Sequence, residues 1–179
     1  MAGGGRVARR LAWYWQVELA NAALVPLFLV VIGVHLGGAV GWPSLLAMMP
    51  MSGLLIVGGL YWRGKLRALQ GQGAALDKAL RLADRWDRPL LVLTIIACAL
   101  AVAGFIIPLP GSAAGDRWAA SGAAMLALAE YVNYYHRQLQ HFDNGADFSR
   151  LITGRGLRRA WLARDLAAWR AGRANPGAA

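Results

Sequence analysis

Four apolar runs, each long enough to cross a hydrocarbon layer as a helix, constrain this chain more than any other feature of its sequence. A spanning helix needs roughly 20 predominantly apolar residues. The first run covers residues 17–40 and contains ALVPLFLVVIGVHLGGAV, and the second covers 44–62 as SLLAMMPMSGLLIVGGLYW. The third, PLLVLTIIACALAVAGFIIPL over 89–109, is the cleanest. The fourth, about 118–138, begins WAASGAAMLALAEYVNYY and turns polar at its far end, which makes it the weakest by hydropathy. The expected fold is therefore all-α, an integral membrane four-helix bundle. Charged residues make up 16% of the chain, whereas a soluble domain carries about a quarter.

The charge that remains is lopsided, with 19 Lys and Arg against 9 Asp and Glu. On a soluble protein such an excess would point to nucleic acid; beside long apolar runs it reads as a topology signal and as contacts to anionic lipid headgroups, with no nucleic-acid partner expected. The N-terminal tail holds Arg6, Arg9 and Arg10, and the loop between the second and third runs holds Arg63, Lys65, Arg67, Lys78, Arg81, Arg85 and Arg88. The C-terminal segment holds Arg137, Arg150, Arg155, Arg158, Arg159, Arg164, Arg170 and Arg173, leaving only Arg117 for the opposite side. The positive-inside rule then places both termini and the middle loop in the cytoplasm, most simply at a bacterial inner (plasma) membrane. Trp13, Tyr14, Trp15, Tyr61 and Trp62 fall at one boundary, and Trp42 and Trp118 at the other, as an aromatic belt requires. The first run follows a basic start but exceeds a signal-peptide core, so it is expected to persist as a helix.

Two cytoplasmic segments are expected to be helical. Over about 74–88, Ala75, Leu76, Ala79, Leu80, Leu82, Ala83 and Trp86 share one side of the wheel, while Asp77, Lys78, Arg81, Asp84, Arg85 and Arg88 share the other. Gln70 to Gly73 would let this amphipathic helix turn away and lie flat, with Lys78, Arg81, Arg85 and Arg88 meeting lipid headgroups. Packing against another cytoplasmic segment of the chain is the alternative. Residues 144–173 form the second segment: a turn at Asp143 to Gly145, a short helix capped by Asp147, a break at Gly154 and Gly156, then GLRRAWLARDLAAWR. Trp161, Leu166 and Trp169 are its candidate partner contacts, and residues 174–179 read as a disordered tail.

Chemistry concentrates near the end of the fourth run. In EYVNYYHRQLQH, Glu130, Asn133, Tyr134, Arg137 and His141 recur at three- and four-residue steps and share a face. Glu18 and Asn21 of the first run lie at comparable depth, so Glu18, Asn21, Glu130, Asn133, Tyr134 and Arg137 are expected to form an intramembrane polar site. Such a layer serves an ion or proton site, or Glu130 simply pairs with a basic residue such as Arg137. His35 and His136 fall at opposite membrane faces, about 25 Å apart at the helical rise, too far to share a haem. No cofactor, metal or catalytic residue is assigned, and His141 with Asp143 forms only a short HxD. The lone Cys98 allows no disulfide within the chain. Gly33 with Gly37, and Ala119, Ala123 and Ala127, are spaced for close helix contact, within the bundle or between copies. Met48, Met49 and Met51 are expected to fill space beside a kink at Pro50.

These observations leave three function classes. The first is a non-enzymatic accessory or scaffold subunit of a larger membrane complex, with other membrane subunits or a second copy of itself as partner. The second is a small homo-oligomeric channel or transporter centred on Glu130. The third is an enzyme acting on lipids through His136, His141 and Asp143.

Overall fold

A computed structural model describes residues 2–107, 109–110, 112–139 and 157–174, with side chains described from Val7 onward. The chain is helical: α1 (Ala2–Gly37), α2 (Trp42–Leu69), α3 (Gly73–Ile106), α4 (Ala114–Tyr135) and α5 (Trp161–Ala174). Among the described residues there is no strand, only an isolated antiparallel bridge between Arg137 and Arg159. Three helices are long and apolar enough to cross a membrane, Val7–Gly37, Trp42–Leu69 and Gly73–Ile106, and on that ground the chain is a membrane protein.

α2 is the central element, packing against α1, α3 and α4, while α4 also packs against α1 and α3. Its buried side chains include Met51, Leu54 and Tyr61. The outward faces carry exposed Leu24, Leu27, Phe28 and Val31 on α1 and Val92, Ile95, Val102 and Phe105 on α3. This inversion of the soluble pattern is what an apolar solvent favours.

Helix-breaking residues are accommodated by neighbours. Pro26 inside α1 has no N–H to give the Ala22 carbonyl, and the Ser52 hydroxyl of α2 donates to that carbonyl at 2.9 Å. Around Pro50, Met48 and Met51 are buried, but Met49 faces outward. The α2–α3 turn closes through Gly71 at φ +86°, a left-handed position that glycine adopts without strain. Small residues set the helix spacing elsewhere. A Cβ on Gly37 would overlap the Gly115 backbone nitrogen, and one on Gly33 would crowd Ala119 and the Gly115 carbonyl. The Gly33–Gly37 pair therefore packs inside the chain, against α4, where Ala119, Ala123 and Ala127 are all buried.

In the middle loop the amphipathic stretch packs within the chain, the alternative to lying flat. Residues 74–88 do not turn flat: α3 runs unbroken from Gly73 through Pro89 into the apolar stretch. The physical reason is that the apolar face finds cover within the molecule. Ala79, Leu80 and Ala83 are buried, with Ala79 set against Gly64 of α2, and the Tyr135 hydroxyl of α4 donates to the Ala83 carbonyl at 2.9 Å. Lys78, Arg81, Arg85 and Arg88 stay exposed on the opposite side.

Of the C-terminal expectations, the turn at Asp143 to Gly145, the cap at Asp147 and the break at Gly154 and Gly156 lie outside the described residues, as do 175–179 of the tail. The expected helix from Gly156 starts only at Trp161, because residues 157–160 are extended beside the Arg137–Arg159 bridge, and α5 ends at Ala174.

Candidate functional site

The polar layer is built on α1 and α4 running antiparallel, with α2 closing one side. Gly37 beside Gly115 fixes one end of the α1–α4 register. Further along the same pair of helices, Glu18 stands beside Tyr134 and within electrostatic reach of Glu130. Tyr134 is buried because Gly58 of α2 leaves a notch for its ring; a Cβ there would overlap the phenol. Its hydroxyl faces Glu18 and Glu130 yet makes no hydrogen bond of good geometry among the described residues. Asn133 donates to Glu130 Oε2 at 3.3 Å and accepts the Leu139 amide at 2.9 Å, tying the carboxylate to the segment that leaves α4.

Two expected members stand apart. Asn21 is half-buried on α1 and makes no side-chain hydrogen bond among the described residues. Arg137 turns away from Glu130: its guanidinium donates to the Leu157 carbonyl at 3.1 Å, beside the bridge to Arg159. That bridge is closed by Gln138 N–H to Arg158 O at 2.9 Å and Ala160 N–H to His136 O at 3.1 Å. His141 and Asp143 lie outside the described residues.

The bridge delivers α5 to the end of the layer. Leu162 and Leu166 are buried against the core, and Trp169 packs on it while its indole N–H donates to Asp77 of α3. Asp165 accepts from Lys65 Nζ at 2.7 Å and from the Tyr61 hydroxyl at 2.8 Å, while Arg170 holds Asp84 at 2.6 Å and Asp87 at 3.0 Å. The hydrogen bond to Asp87, then that to Asp84, raises Arg170 above the ordinary guanidinium range. Of the three expected partner contacts, Leu166 and Trp169 are thus engaged within the chain. Trp161 remains exposed, with Lys65 and Arg164 each 4.8 Å from its ring centre. A cavity of about 30 Å³, room for roughly one water, lies between Tyr61, Asn133, Tyr134 and Trp161.

One polar residue escapes the sequence argument. Asp116, in the first turn of α4, is fully buried and caps a different helix: Oδ1 accepts the Gly41 and Ser44 amides of α2 at 2.8 and 3.2 Å. Ser44 Oγ also lies 2.8 Å from the Asp116 carbonyl, and Oδ2 has no partner among the described residues. A carboxylate at a helix N-terminus satisfies orphan amides and meets the positive end of the dipole. The signal in sequence, an Asp opening an apolar run, reads as a cap for its own helix, and nothing local says otherwise.

Among the described residues no group of three or more His, Cys, Asp or Glu is placed to hold a metal ion. No protein-family model, no curated protein and no solved structure matches this chain.

Proposed function

We propose that this chain is a non-enzymatic accessory or scaffold subunit of a larger bacterial inner-membrane complex. All four long helices cross, and both termini are cytoplasmic. The observation that carries this reading is the state of the polar layer: Tyr134, seated in the Gly58 notch, fills it, and the space beside it holds about one water. A polar interior filled by the chain's own side chains supports a structural role for one copy. α4 has only 22 residues, yet it accompanies α1 from Gly37–Gly115 to Glu18–Tyr134, which supports a fourth crossing. The basic residues flanking α1, α2 and α5 support the cytoplasmic assignment of that end. Its partner-facing group is Trp161 with Arg164, the exposed aromatic–cation pair on an otherwise docked α5.

Gentle extraction and native mass spectrometry test the proposal. Stoichiometric co-purification with an unrelated membrane protein, lost in Trp161→Ala/Arg164→Ala while the chain stays folded, is the expected result. A pure homo-oligomer would overturn it. That outcome would favour the second reading, a homo-oligomeric channel or transporter, which draws on the nearness of Glu18, Tyr134 and Glu130 to one another. Glu130→Gln would then alter ion flux in liposomes, and unchanged flux would remove Glu130 from that role.

A further inference from the structure

The cytoplasmic halves of α2 and α3 leave a cleft between them. Gly64 brings the helices together, since a Cβ there would stand 3.0 Å from both the Ala75 carbonyl and the Ala79 Cβ. With only Gly64, Ala75 and Ala79 along the floor, no side chain is large enough to fill the space, and a cleft of about 290 Å³ remains. Its walls repeat at helical spacing. Leu60, Arg63 and Arg67 share a face of α2, and Ala75, Lys78 and Leu82 share a face of α3.

The lining is polarised along the helix axes. Leu60 and Leu82 lie farthest from the α2–α3 turn, Leu60 within the apolar run of α2 and Leu82 on the amphipathic part of α3, whereas Arg63, Arg67 and Lys78 lie nearer the turn. No carboxylate lines the cleft, and among the described residues none of its three cations has an acidic partner. This separates them from the neighbouring Lys65, Arg81 and Arg170, which pair with Asp165, Asp77, and Asp84 with Asp87. Arg63 is also held in place, its guanidinium stacked 5.3 Å from the Trp15 ring centre, at the aromatic boundary that Trp15 shares with Trp62.

We propose that this cleft binds one anionic phospholipid, with the phosphate among Arg63, Arg67 and Lys78 and an acyl chain over Leu60 and Leu82. Three cations without an acidic partner among the described residues at one end, and Leu60 with Leu82 at the other, match an anionic amphiphile in both charge and direction. The site narrows the lipid contact expected along the whole exposed face of α3: Lys78 takes part, while Arg85 and Arg88, outside the cleft, are ordinary surface charges. The inference does not depend on the accessory-subunit role.

Arg67 and Lys78 are both exposed, so their removal leaves the fold intact. The test compares two variants of equal charge, Arg67→Gln/Lys78→Gln and Arg85→Gln/Arg88→Gln, as delipidated full-length protein in mild detergent. Lipid binding is read by native mass spectrometry during titration with phosphatidylglycerol or with phosphatidylcholine of the same acyl chains. Wild type is expected to bind one phosphatidylglycerol in preference to phosphatidylcholine. The cleft variant should lose roughly tenfold or more in affinity and the surface variant about threefold or less. Arg67→Lys/Lys78→Arg, which keeps both charges, should restore binding. Equal losses in the two double variants would overturn the proposal, as would indifference to the headgroup. Displacement of the lipid by inorganic phosphate at equal concentration would also overturn it, in favour of a soluble anion.

Discussion

The two ends of the helix packing are held by different physics. At the end where α1 meets the start of α4, Gly33, Gly37 and Gly115 let backbones touch, and one buried carboxylate, Asp116, caps α2. At the end where α5 docks, side chains do the joining: Tyr61, Lys65 and Asp165 form one polar cluster, and Arg170 with Asp84 and Asp87 another. The first end is closely packed and has little room for adjustment. The second is partly exposed, with Arg170 at 48% and its partners at 38% and 21%. Close backbone contact holds helices through dispersion and satisfied amides; long charged side chains suit a boundary that water reaches.

Substitutions at four positions would break or sharpen that contrast. The largest effect is expected from Gly37→Leu, because the added side chain meets the Gly115 backbone, which cannot step aside. Overpacking of this kind costs about 3 kcal/mol, measurable as the shift in unfolding midpoint on titrating detergent-solubilised protein with sodium dodecyl sulfate. A wild-type midpoint would mean that α1 and α4 separate freely at this point. Asp116→Ala comes next, at about 2 kcal/mol in the same assay, since it orphans the Gly41 and Ser44 amides. Asp116→Asn, which retains an acceptor, should cost less, and an equal loss would show that charge rather than capping matters.

At the other end, Arg170→Gln is expected to cost about 0.5 to 1 kcal/mol, as befits partly exposed ion pairs. Its cost should shrink in 1 M salt, where the screening length falls to about 3 Å, while the costs of the first two substitutions should not change. Protease sensitivity near α5 at low and high salt reads this directly, and salt-independent sensitivity would remove the distinction between the ends. The smallest effect has the opposite sign. Gly172 in α5 has open space where a Cβ would go, so Gly172→Ala should stabilise α5 by up to about 1 kcal/mol, seen as slower amide exchange in that helix.

Much of the helical organisation was legible from hydropathy and spacing. α1, α2 and α3 carry the first three apolar runs, apart from the last three residues of the first and third, because a chain in lipid must satisfy its backbone internally. The polar site was legible in part. Glu130, Asn133 and Tyr134 share a face of one helix by period alone, and Glu18 sits at matching depth on its antiparallel neighbour. Arg137 was assigned to that face by the same period, but α4 ends at Tyr135, so the spacing rule no longer applied to it. Tyr134's burial rests on Gly58, more than seventy residues away in the chain, and no local pattern pairs a glycine with a ring.

By itself, then, the sequence determined which segments are apolar, how long they are and where the cations gather, since these follow from transfer free energies that each residue carries wherever it lies. Tertiary structure decided which helix Asp116 caps, that residues 74–88 continue α3, and that Trp169 and Leu166 turn inward. It also decided that Arg63, Arg67 and Lys78 meet around one cleft. Each of these depends on what a second helix offers at contact distance: a free amide, an apolar face, a carboxylate or a missing side chain. That complement is set by register between helices, which hydropathy does not encode.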